Sequence, residues 1–160
     1  MEYRDLYDAQ RNITGEKILK GEPIPEGRYY TTVVIIIEND NKELLLQVNK
    51  KYDLLSFTGG HPKSGETSLQ GIITEIKEEL GYDVDPKRIE YLKTYQTEDD
   101  FVDLYYLKEN INLSKLHLDS EEVGGVNWAS KDKISMYINN GQILASHIDF
   151  YQDFCIIKKY

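Results

Sequence analysis

The run Gly59-Gly60-His61-Pro62-Lys63-Ser64-Gly65-Glu66 continues as Thr67-Ser68-Leu69-Gln70-Gly71-Ile72-Ile73-Thr74-Glu75-Ile76-Lys77-Glu78-Glu79-Leu80-Gly81-Tyr82. Its first half is a glycine loop, whose bare backbone can come close to a metal ion or a phosphate. Its second half places apolar residues at Leu69, Ile72, Ile73, Ile76 and Leu80, the spacing of a helix with one buried face. A helix is expected over Thr67 to Leu80, with Gly81 ending it in the left-handed conformation. At about 100° per residue, Glu75, Glu78 and Glu79 share a neighbouring arc, and Glu75 and Glu79 border the apolar stripe. Gly71 lies one turn before Glu75 on that acidic face. A glycine inside a helix costs about 1 kcal/mol against alanine, and this one is expected to keep the approach to the carboxylates open.

Three carboxylates on one arc repel each other, and Lys77 points elsewhere. Such a cluster is stable when solvated, or when a divalent cation sits among the oxygens. On the helix alone both readings stand. Hard oxygen ligands, with one cysteine and three histidines in the whole chain, suit Mg2+ or Mn2+ rather than zinc.

Outward from this segment the chain alternates strands and helices. Residues 2–27 are polar and turn-rich and read as a short hairpin followed by an irregular arm. Tyr29 to Glu38 lacks clean alternation in its Val33–Ile37 centre, as expected of a strand buried on both faces. After the Asn39-Asp40-Asn41 turn, Glu43 to Asn49 returns as a second strand, and Leu54 to Phe57 leads into the glycine loop. Ile89 to Gln96 and Phe101 to Leu107 form a strand pair around an acidic turn, and Val123 to Trp128 is a further strand. Lys131 to Asn139 and Ile143 to Ile157 read as helices. This order predicts a mixed α/β domain with helices on both sides of the sheet.

The 160 residues, with 40% hydrophobic and 29% charged content, are expected to form a single domain over residues 1–160. The start, Met1-Glu2-Tyr3-Arg4-Asp5, has no apolar leader, and the longest apolar run, Val33 to Ile37, is too short for a bilayer. A lone cysteine points to a reducing compartment, so the expected location is cytoplasmic, with no membrane partner. The net charge of −9, with basic residues scattered, argues against a nucleic-acid polymer as partner. Phosphate would then be handled through a cation held by carboxylates.

From Gly60 the spacing reads G-x5-E-x7-T-E-I-x-E-E-x-G-Y, ending at Tyr82. This closely resembles the Nudix box, G-x5-E-x7-R-E-U-x-E-E-x-G-U, of the Nudix hydrolase superfamily, with Thr74 in place of the box arginine. The resemblance implies an α/β/α sandwich with a mixed sheet, box residues 60–82 and an N-terminal arm at 1–27. It also implies a hydrolase of the MutT-like class, dependent on Mg2+ or Mn2+. The substrate would be a small molecule with a diphosphate linkage, of nucleoside diphosphate-X type or similar. Glu75, Glu78 and Glu79 would be metal ligands together with the carbonyl of Gly59 or Gly60, and Glu66 would stand behind them. A homodimer is the habit of the family.

The catalytic base is open among Glu75, Glu98 in the turn after the first late strand, and Glu121 or Glu122. Thr74 is too short and uncharged to replace the arginine that orients the glutamates, and Lys63 or Lys77 are poorer substitutes. That departure keeps a binding or regulatory module with little turnover as the alternative. Substrate contacts are expected from His61, Lys63 and Tyr52, with Tyr95 a further stacking candidate among thirteen tyrosines. His117 and His147 show no metal-like spacing, and Trp128 is expected in the core. The arm, with Asp5-Leu6-Tyr7-Asp8, Thr14-Gly15 and Gly21-Glu22-Pro23, resembles the entry region of proteins related to isopentenyl-diphosphate isomerase. Isomerase chemistry in that family relies on a cysteine near the sheet, and Cys155 sits instead in the apolar final helix, where a buried structural thiol is expected.

Overall fold

The computed structural model describes residues 1–160. Strands β1 (Tyr3–Tyr7) and β2 (Ile13–Leu19) form an antiparallel hairpin of their own. A seven-stranded mixed sheet is built from β3 (Tyr30–Glu38), β4 (Leu44–Asn49), β5 (Leu54–Ser56), β6 (Thr58–Gly60), β7 (Glu90–Gln96), β8 (Asp100–Lys108) and β9 (Val123–Ala129). Helix α1 (Ser68–Leu80) covers one face, while α2 (Lys131–Asn139) and α3 (Ala145–Lys158) cover the other. No helix is long and apolar enough to cross a membrane.

The unbroken apolar run in β3 explains this layering. Successive side chains point to opposite faces. Val33, Ile35 and Ile37 therefore meet Ile72, Ile76 and Leu80 of α1, whereas Val34 and Ile36 meet Phe150 and Phe154 of α3. One edge of β3 pairs in parallel with β8 along its whole length. Its other edge is shared: β6 takes Val33 to Ile35 and β4 meets Glu38. Gly59 and Gly60 are thereby fixed opposite Val34 and Val33, in the middle of the sheet.

Thr67 caps α1 with a reciprocal hydrogen bond to Gln70, and Gly81 closes it at φ 66°. Only part of the expected stripe is buried: Leu69 is exposed and Ile73 half-buried. Trp128 and Cys155 are half-buried at the edges of the two cores, not enclosed as expected. Tyr95 packs on Phe150 and its hydroxyl donates to Asp153 at 2.5 Å, which removes it as a stacking residue.

The hairpin is tied to the domain through a buried charge. Arg11 donates both terminal nitrogens to Asp103 of β8, at 2.9 and 2.6 Å. Asp103 is 3% exposed and also accepts from Ser68 at 2.5 Å and Thr94 at 2.6 Å. Burial alone would raise its pKa, but these donors hold it below the usual carboxylate range. Arg11→Met strands that charge and is expected to lower stability by about 2–3 kcal/mol in urea unfolding at neutral pH. Asp103 contributes stability above its ordinary pKa and loses it on protonation, so the gap closes as pH falls through the acid range. Equal stability of variant and wild type at pH 7 would show that the hairpin is not held this way.

Candidate active site

A polar cavity of about 470 Å³ opens where β6, the second half of α1, the β1–β2 hairpin, the β4–β5 turn and the loop before β9 meet. Glu75, Glu78 and Glu79 all line it, in three different environments. Glu79 is 6% exposed, Glu75 is half-buried and Glu78 is exposed.

Glu79 Oε1 accepts a 3.3 Å hydrogen bond from Gln47, whose amide is oriented by Thr58 donating to its oxygen at 2.8 Å. Glu79 Oε2 is buried and has no hydrogen-bond partner. Burial pushes the Glu79 carboxyl up to about 8, the charges of Glu75 and Glu122 add to this, and Gln47 and the Gly59 backbone oppose it. Glu75 is pushed up to about 7, by burial first and by Glu78 second. An orphaned oxygen and two carboxylates with suppressed ionisation mark a place where positive charge is missing. The donors are all hard oxygens, which fit a cation of the Mg2+ or Mn2+ type.

The third carboxylate is turned aside. Glu78 Oε1 accepts from Lys63 Nζ at 2.6 Å, and no three carboxylate, imidazole or thiol groups converge as a ready ligand set. Lys63 is bound to Glu78 outside the cavity lining, and Lys77 pairs with Asp83 at 3.0 Å on the surface.

The glycines are there for contact. A Cβ on Gly60 would lie 2.3 Å from Glu75 Cδ, and one on Gly59 would lie 2.4 Å from the Val33 carbonyl oxygen. Gly71 corrects the expectation of an open approach: a Cβ there would lie 2.5 Å from Pro62 Cγ, so the loop packs against the helix at this point.

Thr74 also differs from expectation, since it reaches Glu66. Glu66 Oε1 accepts from the Lys63 backbone at 2.7 Å and its Oε2 accepts from the Thr74 hydroxyl at 2.6 Å. Thr74 therefore reaches Glu66 without the length or charge of an arginine, because the loop folds back over the first turns of α1.

His61 lines the cavity beside Gly60. The Thr32 hydroxyl gives its hydrogen to Asp100 at 2.6 Å, leaving its oxygen, 3.3 Å from His61 Nδ1, as an acceptor. The Thr31 carbonyl, 3.4 Å away, also only accepts, which assigns the ring proton to Nδ1. Burial, and then the charge of Arg4, lower the His61 pKa to about 4, so the ring is neutral. A neutral ring is a weaker phosphate contact than a charged one.

Tyr52, 52% exposed, sits at the rim, and Glu121 and Glu122 line the cavity with Asp119. Glu98 does not: it is exposed in the β7–β8 turn, outside the cavity lining. Arg4 and Lys20 from the hairpin, Lys50 and Lys51 from the β4–β5 turn, and Asp119 were not anticipated. The Asp119-Ser120-Glu121-Glu122 run was a usable signal for Asp119. For Arg4 and Lys20 none exists, since hairpin pairing alone brings them to the cavity.

The NUDIX domain family model matches residues 28–154. An uncharacterized Nudix hydrolase of Listeria innocua is 32% identical over 151 residues, covering 90% of this chain and 89% of its own length. DR0079 from Deinococcus radiodurans has a similar structure, with a TM-score of 0.72 at 22% identity over 89% of this chain and 91% of that one. The bifunctional NMN adenylyltransferase/ADP ribose pyrophosphatase of Francisella tularensis, complexed with AMP and a Mn ion, gives a TM-score of 0.63 at 18% identity. That match spans 84% of this chain and 42% of the larger protein. With a mixed sheet between helical layers, the box carboxylates at its glycine strand and a family match over most of its length, the chain belongs to the Nudix family.

Proposed function

We propose that this chain is a divalent-cation-dependent hydrolase that cleaves the diphosphate linkage of a small phosphorylated metabolite, with nucleoside diphosphate-X compounds the first class to test. The unpartnered buried oxygen of Glu79, next to the raised carboxyl of Glu75, carries this reading. Glu79 and Glu75, with the carbonyl of Gly59 or Gly60, would hold Mg2+ or Mn2+, and Glu78 would join them on leaving Lys63. A cation there supplies charge neutralisation at the diphosphate oxygens and a lowered pKa for water.

The other roles belong to side chains around that group. Glu122, half-exposed and lining the cavity with Glu75 and Glu79 where Glu98 does not, is the residue we assign as the base that takes a proton from the attacking water. Glu66, fixed by Thr74 and the Lys63 backbone, braces the loop behind the ligands. Lys63, once released, has a free ammonium to offer a substrate oxygen. Tyr52 presents an aromatic face at the mouth for a base or another flat group.

The binding-module alternative drew on Thr74; the Thr74–Glu66 hydrogen bond gives Glu66 a partner in place of the arginine, which favours the hydrolase reading. The isomerase reading finds no thiol at the cavity, since Cys155 lies half-buried against the core on the face of the sheet opposite α1.

Two outcomes are expected. On a panel of diphosphate-linked compounds, hydrolysis requires Mg2+ or Mn2+ and falls at least about 100-fold in Glu79→Gln. Turnover that survives chelation, or that persists in the variant, would contradict the assignment. The second concerns pH. Both carboxylates ionise near 4.5 when unfolded and near 7 and 8 when folded, so the unfolded chain releases these protons first. The pair therefore costs the metal-free protein stability progressively as pH rises from about 4.5 to about 8. Glu79→Gln should flatten that decline in melting temperature, and Mg2+ should raise the wild-type value at pH 8. An unchanged pH slope in the variant would show that the pair is not desolvated.

A further inference from the structure

Of the four arginines in this chain, three are paired with carboxylates: Arg11 with Asp103, Arg28 with Glu16 and Arg88 with Glu109. Arg4 is not, although the chain carries 28 acidic residues and Glu2 lines the same cavity. Its Nε is buried and has no hydrogen-bond partner. The cavity's other cations are engaged: Lys20 with Glu122 at 3.8 Å, Lys50 with the Ser120 carbonyl, and Lys51 over the Tyr52 ring.

Arg4 is also held in place. Its guanidinium carbon lies 5.7 Å from the centre of the Tyr30 ring, which in turn packs edge-on against His61 at 4.9 Å. The residues on either side of it grip the glycine loop. The Tyr3 carbonyl accepts from the Ser64 backbone at 2.8 Å, and the Asp5 carboxylate accepts from the Ser64 hydroxyl at 2.7 Å and the Gly65 backbone at 2.9 Å. The hairpin thus sets Arg4 in a fixed relation to the loop that leads into the carboxylate helix.

We propose that Arg4 anchors the substrate by binding phosphoryl oxygens of its diphosphate group, and that the hairpin, which precedes the matched residues 28–154, is part of the substrate site. The guanidinium fork matches two phosphate oxygens at once, and its stacking on Tyr30 fixes the orientation before substrate arrives. This inference rests on the hydrolase reading above and assigns a residue to it. Arg4 is a binding residue here, with no part in proton transfer.

The test is equilibrium binding of methylenediphosphonate, which cannot be hydrolysed, at saturating Mg2+, with the Mg2+ affinity measured separately. Arg4→Met keeps the stem on Tyr30 and removes the charge; Arg4→Lys restores charge without the fork. Arg28→Met makes the same change in net charge just after the arm, at a residue outside the cavity lining. Arg4→Met is expected to weaken diphosphonate binding at least about tenfold while Mg2+ affinity and melting temperature stay near wild type. Arg4→Lys should fall between, and Arg28→Met should bind as wild type. Unchanged binding in Arg4→Met, or equal weakening in Arg4→Met and Arg28→Met, overturns the proposal while leaving the hydrolase reading intact. A wild type that binds neither Mg2+ nor diphosphonate overturns both.

Discussion

Two carboxylates packed onto a glycine pair govern this domain. Gly59 and Gly60 are locked into the sheet by β3, and neither position has room for a Cβ. Helix α1 must lie across the odd face of β3 to bury Ile72, Ile76 and Leu80. Those two demands press Glu75 and Glu79 into the glycine strand and strip water from them. Hydrophobic burial of one helix face therefore forces the desolvation of the residues bordering it. For the apo fold this is a defect, since ionised carboxylates in such a place repel and lose hydration. It is tolerated where a site needs negative charge that is unsatisfied until a cation arrives.

The rest of the molecule works around that strain. Glu78 is neutralised by Lys63, so one of the three charges is already balanced. The loop between the glycines and α1 is held from three directions: Glu66 ties it to Thr74, Pro62 fills the hollow at Gly71, and Asp5 grips it from the hairpin. The hairpin itself is fastened through Arg11 and Asp103 to the centre of β8 and, through Ser68, to the start of α1. A buried ion pair of this sort specifies position more than it adds stability. Here the position specified is that of the cavity wall.

Local regularities were legible in the sequence, and long-range pairings were not. The α1 stripe, its Gly81 stop and the double-sided burial of β3 follow from periods of 3.6 and 2, which depend on near neighbours alone. The box spacing gave the family for the same reason. Gly71 misled because a helical wheel shows what a helix offers, not that Pro62 fills the space. Thr74 misled because its reach depends on a loop folding back, not on side-chain length. Glu98 and Glu122 both follow from acidic turns, but only one turn lies at the glycine end of the sheet. Arg4 and Lys20 gave no signal, because only the pairing of β1 with β2 and its docking on Ser64 and Gly65 bring them to the cavity.

In the proposed cation site, Glu75 and Glu79 would be joined by Glu78. Anomalous diffraction from crystals soaked in Mn2+ tests it most directly. The expected result is a Mn2+ peak bound by Glu75 and Glu79 beside Gly59 and Gly60, with Glu78 turned in and its contact with Lys63 broken. A peak elsewhere in the cavity, or no peak with the Lys63–Glu78 pair intact at saturating Mn2+, would contradict it.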